Sequence, residues 1–105
     1  SNYQKIEHVI FSVLCGRPVL VVGPARLEQE VVKLVNALAV FVPRAGRKQQ
    51  TVIEWTSQCL RITDLINLRL VGMCRPERRS VDSFIPSAIK RASTVVDIEK
   101  RIITA

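Results

Sequence analysis

Two groups of basic side chains are the polar feature of this sequence best suited to binding a ligand. They are Arg44, Arg47 and Lys48 in one polar stretch, and Arg75, Arg78 and Arg79 in a second stretch. If both stretches lie at one end of the fold, they make a single positive patch that would attract an anionic or acidic partner. A solvated loop explains the same residues, so these six are candidate binding residues only.

The overall charge leaves the class of partner open. Sixteen Lys and Arg residues against nine Asp and Glu residues give a net charge of +7, which suits nucleic acid, an anionic surface or an acidic protein. Proteins that bind single-stranded nucleic acid stack bases on exposed aromatic side chains. Here one Trp, one Tyr and three Phe residues are not interleaved with the basic stretches. We therefore expect no nucleic-acid partner.

The residue types that carry catalysis are few and have no marked partners. His8 is the single histidine, and a nucleophilic mechanism would need a second group beside it. The three cysteines, Cys15, Cys59 and Cys74, are widely spaced and lie beside apolar residues, which predicts reduced, buried thiols rather than disulfides or a zinc site. Gly23 belongs to no phosphate-binding pattern and predicts a turn. We expect a protein without catalysis, metal or cofactor.

The residues that must position any site begin with a buried strand. Residues 18–23 are a continuous aliphatic run ending in Gly23, which is typical of a strand covered on both faces in a parallel sheet. Apolar residues then recur at spacings of three and four, including Leu34 and Leu38, which predicts a crossover helix over residues 25–42 with Pro24 in its first turn.

The remaining elements follow the same reasoning. We predict helices over residues 3–14 and 62–68, the second with Thr63 as its N-cap, strands over 51–55, 70–73 and 94–99, a loop with a turn of helix over 75–87, and a hairpin arm at 102–103. Residues 18–23, 69–73 and 94–98 should be adjacent strands. The predicted fold is α/β, a three-layer sandwich with a mostly parallel sheet flanked by helices, in one domain spanning residues 1–105.

Localisation is predicted from what the sequence lacks. No apolar run reaches the roughly 20 residues of a membrane-spanning helix, and the first residues do not have the pattern of a signal peptide. Together with the unpaired cysteines, this favours the cytoplasm and no direct membrane span.

The order of these segments resembles the central DENN module of folliculin-like longin-DENN proteins. The resemblance rests on the run from Gly16 to Gly23, the helix ending Phe41-Val42-Pro43, the stretch from Ile62 to Met73, and Thr94-Val95-Val96-Asp97-Ile98-Glu99. It spans most of the chain. It implies the core of a DENN domain, without the longin half and the helical tail.

The resemblance also implies a function. Proteins of this family regulate small GTPases, autophagy and lysosome function, and their GTPase activation uses an arginine of the longin half that no residue here matches. The implied partners are the paired longin-DENN subunit, a β-propeller protein and, through the full complex, Rab or Arf GTPases at the lysosome surface. We expect an interaction module whose isolated form self-associates. The alternative is an autonomous DENN-type exchange factor for Rab GTPases.

Overall fold

The computed structural model of the chain describes residues 2–43 and 51–104. In chain order the elements are α1 (Asn2–Cys15), β1 (Val19–Pro24), a 3-10 helix (Ala25–Leu27), α2 (Glu28–Ala39), β2 (Val52–Thr56), a second 3-10 helix (Ile62–Ile66), β3 (Leu70–Arg75), α3 (Val81–Phe84), α4 (Ser87–Ala92), β4 (Thr94–Asp97) and β5 (Ile102–Thr104).

The strands described here form one sheet in the order β2-β3-β1-β4-β5. β1 is parallel to both β3 and β4, β2 is parallel to β3, and β5 alone is antiparallel, as the second arm of a hairpin with β4. Every residue of β1 is buried, as its uninterrupted aliphatic run predicts. The predicted α/β class, the adjacency of the three central strands and the hairpin arm are confirmed.

Helices cover both faces of the sheet. On one face, Val9 and Val13 of α1 and Val31 and Val35 of α2 pack against alternate residues of the central strands. On the other face, the second 3-10 helix, α3 and α4 pack against the residues in between. The central strands therefore lie between two apolar cores, which makes the predicted three layers.

Gly72 permits an unusually close approach in the middle of the sheet. A Cβ atom on this residue would lie 2.0 Å from the carbonyl oxygen of Glu54 and 2.9 Å from Cγ1 of Val31. The pairing of β2 with β3 shifts register between Ile53 and Thr56, beside this contact. β2, β3 and α2 can meet here because position 72 carries no side chain.

Two helix predictions need correction. The crossover helix is not continuous over 25–42, because Pro24 ends β1 and a 3-10 turn precedes α2, which ends at Ala39. The predicted helix over 62–68 is a 3-10 helix over Ile62–Ile66, and Thr63 does not cap it. Instead, the backbone N–H of Arg61 donates to Oδ2 of Asp64 at 2.8 Å.

The predicted loop over 75–87 is more regular than expected. The expected turn of helix is α3, but the stretch also includes the last residue of β3 and the beginning of α4. Ser80 caps α3, since its Oγ accepts a hydrogen bond from the backbone N–H of Ser83 at 3.2 Å. Pro86 precedes α4, where its missing N–H costs no helical hydrogen bond.

Candidate functional site

The first candidate site is the crevice at the carboxyl ends of β1 and β3. The two strands end side by side, with Pro24 opposite Arg75. The helix after β1 covers one face of the sheet and the helices after β3 cover the other. In open α/β sheets, ligands bind at a crevice between two neighbouring strands whose following connections run to opposite faces of the sheet.

Arg75 occupies this crevice as a structural residue. Its side chain is only 5% exposed. Nη1 donates to the backbone carbonyls of Pro76 at 3.0 Å, Glu77 at 3.3 Å and Arg79 at 2.9 Å, and Nη2 donates to the carboxylate of Glu99. The planar guanidinium has donors on several sides, so a single residue at the end of β3 can hold the following turn in place.

Arg26 completes a charge-balanced network across the crevice. Its Nη2 donates to the Glu99 carboxylate that Arg75 also contacts, and its Nε lies 3.3 Å from Oε2 of Glu77. Two guanidinium groups thus face two carboxylates. The network leaves no unpaired charge to attract a substrate, although Arg26 and Glu77 are half exposed and their own pair contributes little to stability.

The remaining basic candidates are distributed differently. Arg79 donates from Nη2 to the carbonyl of Ser83, and its guanidinium lies 5.8 Å from the ring centroid of Phe84. Arg78 is exposed, and no hydrogen bond or ion pair joins it to another described residue. Of the second basic stretch, Arg78 is therefore the residue most accessible to a partner.

The first basic stretch, with Arg44, Arg47 and Lys48, lies outside the described residues. Thr51, which follows them, lies at the amino edge of the sheet, next to the start of β3, whereas Arg75 ends β3 at the carboxyl edge. A single patch built from both stretches stays a prediction.

The residue types associated with catalysis are dispersed. His8 is exposed on α1, and Cys15 and Cys59 are exposed while Cys74 is half-buried. The prediction that all three cysteines are buried was wrong. Leu14, the apolar neighbour of Cys15, is itself exposed, so an apolar neighbour in sequence does not establish burial. Within residues 2–43 and 51–104, no group of three or more His, Cys, Asp or Glu side chains could hold a metal ion.

A buried polar cluster near the amino ends of β1 and β4 was missed by sequence reasoning. Ser12 and Thr94 share a 2.8 Å hydrogen bond between their hydroxyl groups. Arg17 donates from Nε to Thr94 Oγ1 at 3.1 Å, and from Nη2 to the carbonyls of Ser93 at 2.9 Å and Arg91 at 3.2 Å. These contacts tie α1, the end of α4 and β4 together. A polar residue within an apolar helical stripe, such as Ser12, was the available signal.

Fold and site define an α/β domain with internal ion pairs across its carboxyl-edge crevice. Comparison with known proteins places it more narrowly. All of residues 1–105 match the family described as "Guanine nucleotide exchange protein SMCR8, C-terminal domain", and the chain belongs to this family.

Individual relatives agree with the family match. The chain is 33% identical over 101 residues to guanine nucleotide exchange protein smcr8b of Danio rerio, covering 90% of the chain and 10% of the relative. It is 42% identical over 74 residues to guanine nucleotide exchange protein SMCR8 of Homo sapiens, covering 70% of the chain and 8% of the relative. The chain spans about a tenth of the length of these relatives.

The family match confirms the resemblance found in the sequence, at the level of an SMCR8-like protein. The names of the relatives fit a regulatory role. The assignment of residues 1–105 to the centre of a DENN domain stays a prediction. No helix in the described part of the chain is long and apolar enough to cross a membrane.

Proposed function

We propose that this chain is an interaction module of a longin-DENN complex that regulates small GTPases, and that it has no catalytic activity of its own. The observation that carries the proposal is the pairing of the charged residues in the crevice. Where an α/β enzyme would bind its substrate, Arg75 is buried and committed to backbone carbonyls and to Glu99.

Exposed apolar side chains support a binding role. Phe11 and Leu14, one helical turn apart on α1, are 67% and 53% exposed, and Val40 after α2 is 77% exposed. Large apolar side chains that are exposed next to one another, as Phe11 and Leu14 are on one face of α1, tend to be covered by another protein. The same side chains support the expected self-association of the isolated chain.

The resemblance supplies the identity of the proposed partners. The module would help to hold the paired longin-DENN subunit and a β-propeller protein, and would meet Rab or Arf GTPases only through the full complex. GTPase activation would belong to the longin half. The complex would act in the cytoplasm, in autophagy and at the lysosome surface, to which it is recruited.

The alternative is an autonomous exchange factor for Rab GTPases. The observation that favours it is the name of the relatives, guanine nucleotide exchange proteins. Exchange does not require a nucleophile or an acid–base pair, because a partner can displace nucleotide by binding alone. The ion pairs in the crevice therefore argue against hydrolysis of a bound substrate more strongly than against exchange.

Co-purification tests the interaction module. The tagged chain is mixed with the purified paired longin-DENN subunit and separated by size-exclusion chromatography. The proposal predicts a stable complex of the two. A matched sample carrying Gly72→Ala, which should disrupt the sheet, reports binding by unfolded chain. Separate elution of the native chain and the subunit would contradict the proposal.

A further inference from the structure

A small apolar pocket lies beside the β4–β5 hairpin. Its volume is about 180 Å³. The walls are apolar, from Ile6, Val96, Ile98 and Ile103, and two exposed cationic residues, Lys5 and Arg101, also line it. Neither the carboxyl-edge crevice nor the basic stretches include these residues. The pocket is therefore separate from both of these features.

The size of the pocket limits what it can hold. Sites for cofactors and drug-sized ligands usually enclose about 300 to 1,000 Å³, which is more than this pocket offers. An engineered apolar cavity of about 150 Å³ holds one benzene molecule. A pocket of about 180 Å³ therefore suits one bulky side chain, such as leucine or phenylalanine, and excludes a nucleotide.

The charge of the pocket indicates which residues should flank the inserted side chain in the bound partner. Lys5 and Arg101 make no ion pair with another described residue. The one carboxylate in the lining is Asp97, which is 8% exposed and accepts a hydrogen bond from the backbone N–H of Lys100 at 3.1 Å. Two cations against one carboxylate leave a net positive charge, which complements an acidic partner.

The open edge of β5 provides a way to hold an extended segment. β5 pairs with β4 and, among the described strands, with no other. Ile103 lies half-buried in the pocket, while Ile102 and Thr104 on either side of it are exposed. A segment added along an edge strand places the side chain opposite Ile103 on the same face of the sheet. That side chain would enter the pocket.

We propose that the β4–β5 hairpin is a docking site for a short acidic segment of a partner protein. The segment adds to the edge of β5 as a strand, inserts one bulky apolar side chain into the pocket, and places flanking carboxylates near Lys5 and Arg101. This site deepens the proposed interaction function and rests on it.

Fluorescence anisotropy with labelled peptides tests the site on the 105-residue chain. The probe peptide is EDTLTDE, which has one leucine between acidic ends. The expected result is saturable binding that weakens with added salt. EDTGTDE, without the apolar side chain, and KKTLTKK, with reversed charge, should each bind about tenfold more weakly, which corresponds to about 1.4 kcal/mol. Equal binding of all three peptides would overturn the proposal.

Two substitutions locate the binding on the protein. Arg101 has a left-handed backbone with φ of 58°, so Arg101→Asn removes the charge and retains a residue that tolerates this conformation. Combined with Lys5→Gln, it should weaken EDTLTDE several-fold at low salt. Lys33→Gln, which removes a charge from the exposed surface of α2, is the matched control and should leave binding unchanged. Equal losses in both variants would overturn the site.

Other occupants give different results. If sedimentation shows a dimer that Ile103→Asp dissociates, the pocket binds a second copy and the proposal is wrong. Binding to phosphatidylserine vesicles without binding to EDTLTDE would likewise overturn it. If the Arg101→Asn/Lys5→Gln variant loses the peptide but still co-purifies with the longin-DENN subunit, the docking site stands and serves another partner. Failure of co-purification alone, with peptide binding intact, would contradict only the proposed complex.

Discussion

Adding one methyl group at position 72 should disrupt the sheet, whereas the same addition at position 23 should be tolerated. In Gly72→Ala the new Cβ would lie 2.0 Å from the carbonyl oxygen of Glu54, which belongs to the backbone of β2. In Gly23→Ala the nearest atom is Cγ2 of the Val31 side chain, at 3.0 Å. Both glycines lie in central strands, so the pair isolates the effect of the close approach.

The expected cost follows from what must move. A side-chain neighbour at 3.0 Å can shift by a few tenths of an ångström, but a backbone oxygen at 2.0 Å requires β2 to separate from β3. Overpacking a core costs about 1 to 3 kcal/mol and sometimes more, so we expect at least about 3 kcal/mol for Gly72→Ala. Replacing glycine by alanine also stabilises by about 0.4 to 1 kcal/mol through the unfolded chain, which should leave Gly23→Ala within about 1 kcal/mol of the native protein.

Urea unfolding measures the difference. Trp55, the single tryptophan, lies on β2 beside Glu54, so its fluorescence reports separation of this strand, and circular dichroism reports global unfolding. With a urea dependence of about 1.5 kcal/mol per molar, a loss of about 3 kcal/mol lowers the midpoint by about 2 M. If the two variants unfold at the same urea concentration, β2 does not approach Gly72 as closely as described.

Three further substitutions test the core, the crevice and the buried polar cluster. Leu38→Ala should lower the free energy of unfolding by about 2 to 5 kcal/mol, because Leu38 is only 2% exposed. In a paired urea titration, Leu34→Ala should lower it by less, because Leu34 is only partly buried. Arg75→Ala should lower the free energy of unfolding by about 1 to 3 kcal/mol, because several carbonyls lose their donor and Glu99 keeps only Arg26, while Arg78→Ala should change thermal unfolding little. Ser12→Ala should lower the free energy of unfolding by about 1 kcal/mol, because it loses the hydrogen bond to β4. An unchanged urea midpoint would show that this hydrogen bond does not stabilise the fold.

The central sheet could be predicted because its strands are extreme in composition. Residues 19–22 contain no polar side chain, and burial on both faces follows for β1. Helix boundaries were harder to predict. α3 and α4 have four and six residues, too few for a helical repeat to appear, and α3 is fixed by a serine cap and by tertiary packing of Val81.

The site could be predicted only in outline. The sequence marked Arg75 as a candidate binding residue. It did not show that Arg75 pairs with Glu99, which is 24 positions away and is brought near by the β3–β4 crossover. The hairpin pocket likewise combines Ile6 of α1 with residues near 100, because β1, which follows α1, pairs with β4. A sequence without its pairing register does not show which distant charges neutralise one another.

Nucleotide release and hydrolysis by small GTPases test most directly whether this chain acts by binding rather than catalysis. A panel of Rab GTPases loaded with mant-GDP, and separately with GTP, is mixed with the native chain, with buffer alone, and with EDTA as a positive control for release. A chain that acts by binding alone should give release and hydrolysis rates equal to those in buffer. Acceleration of either reaction by the native chain would contradict action by binding alone, and acceleration of release would favour the exchange factor.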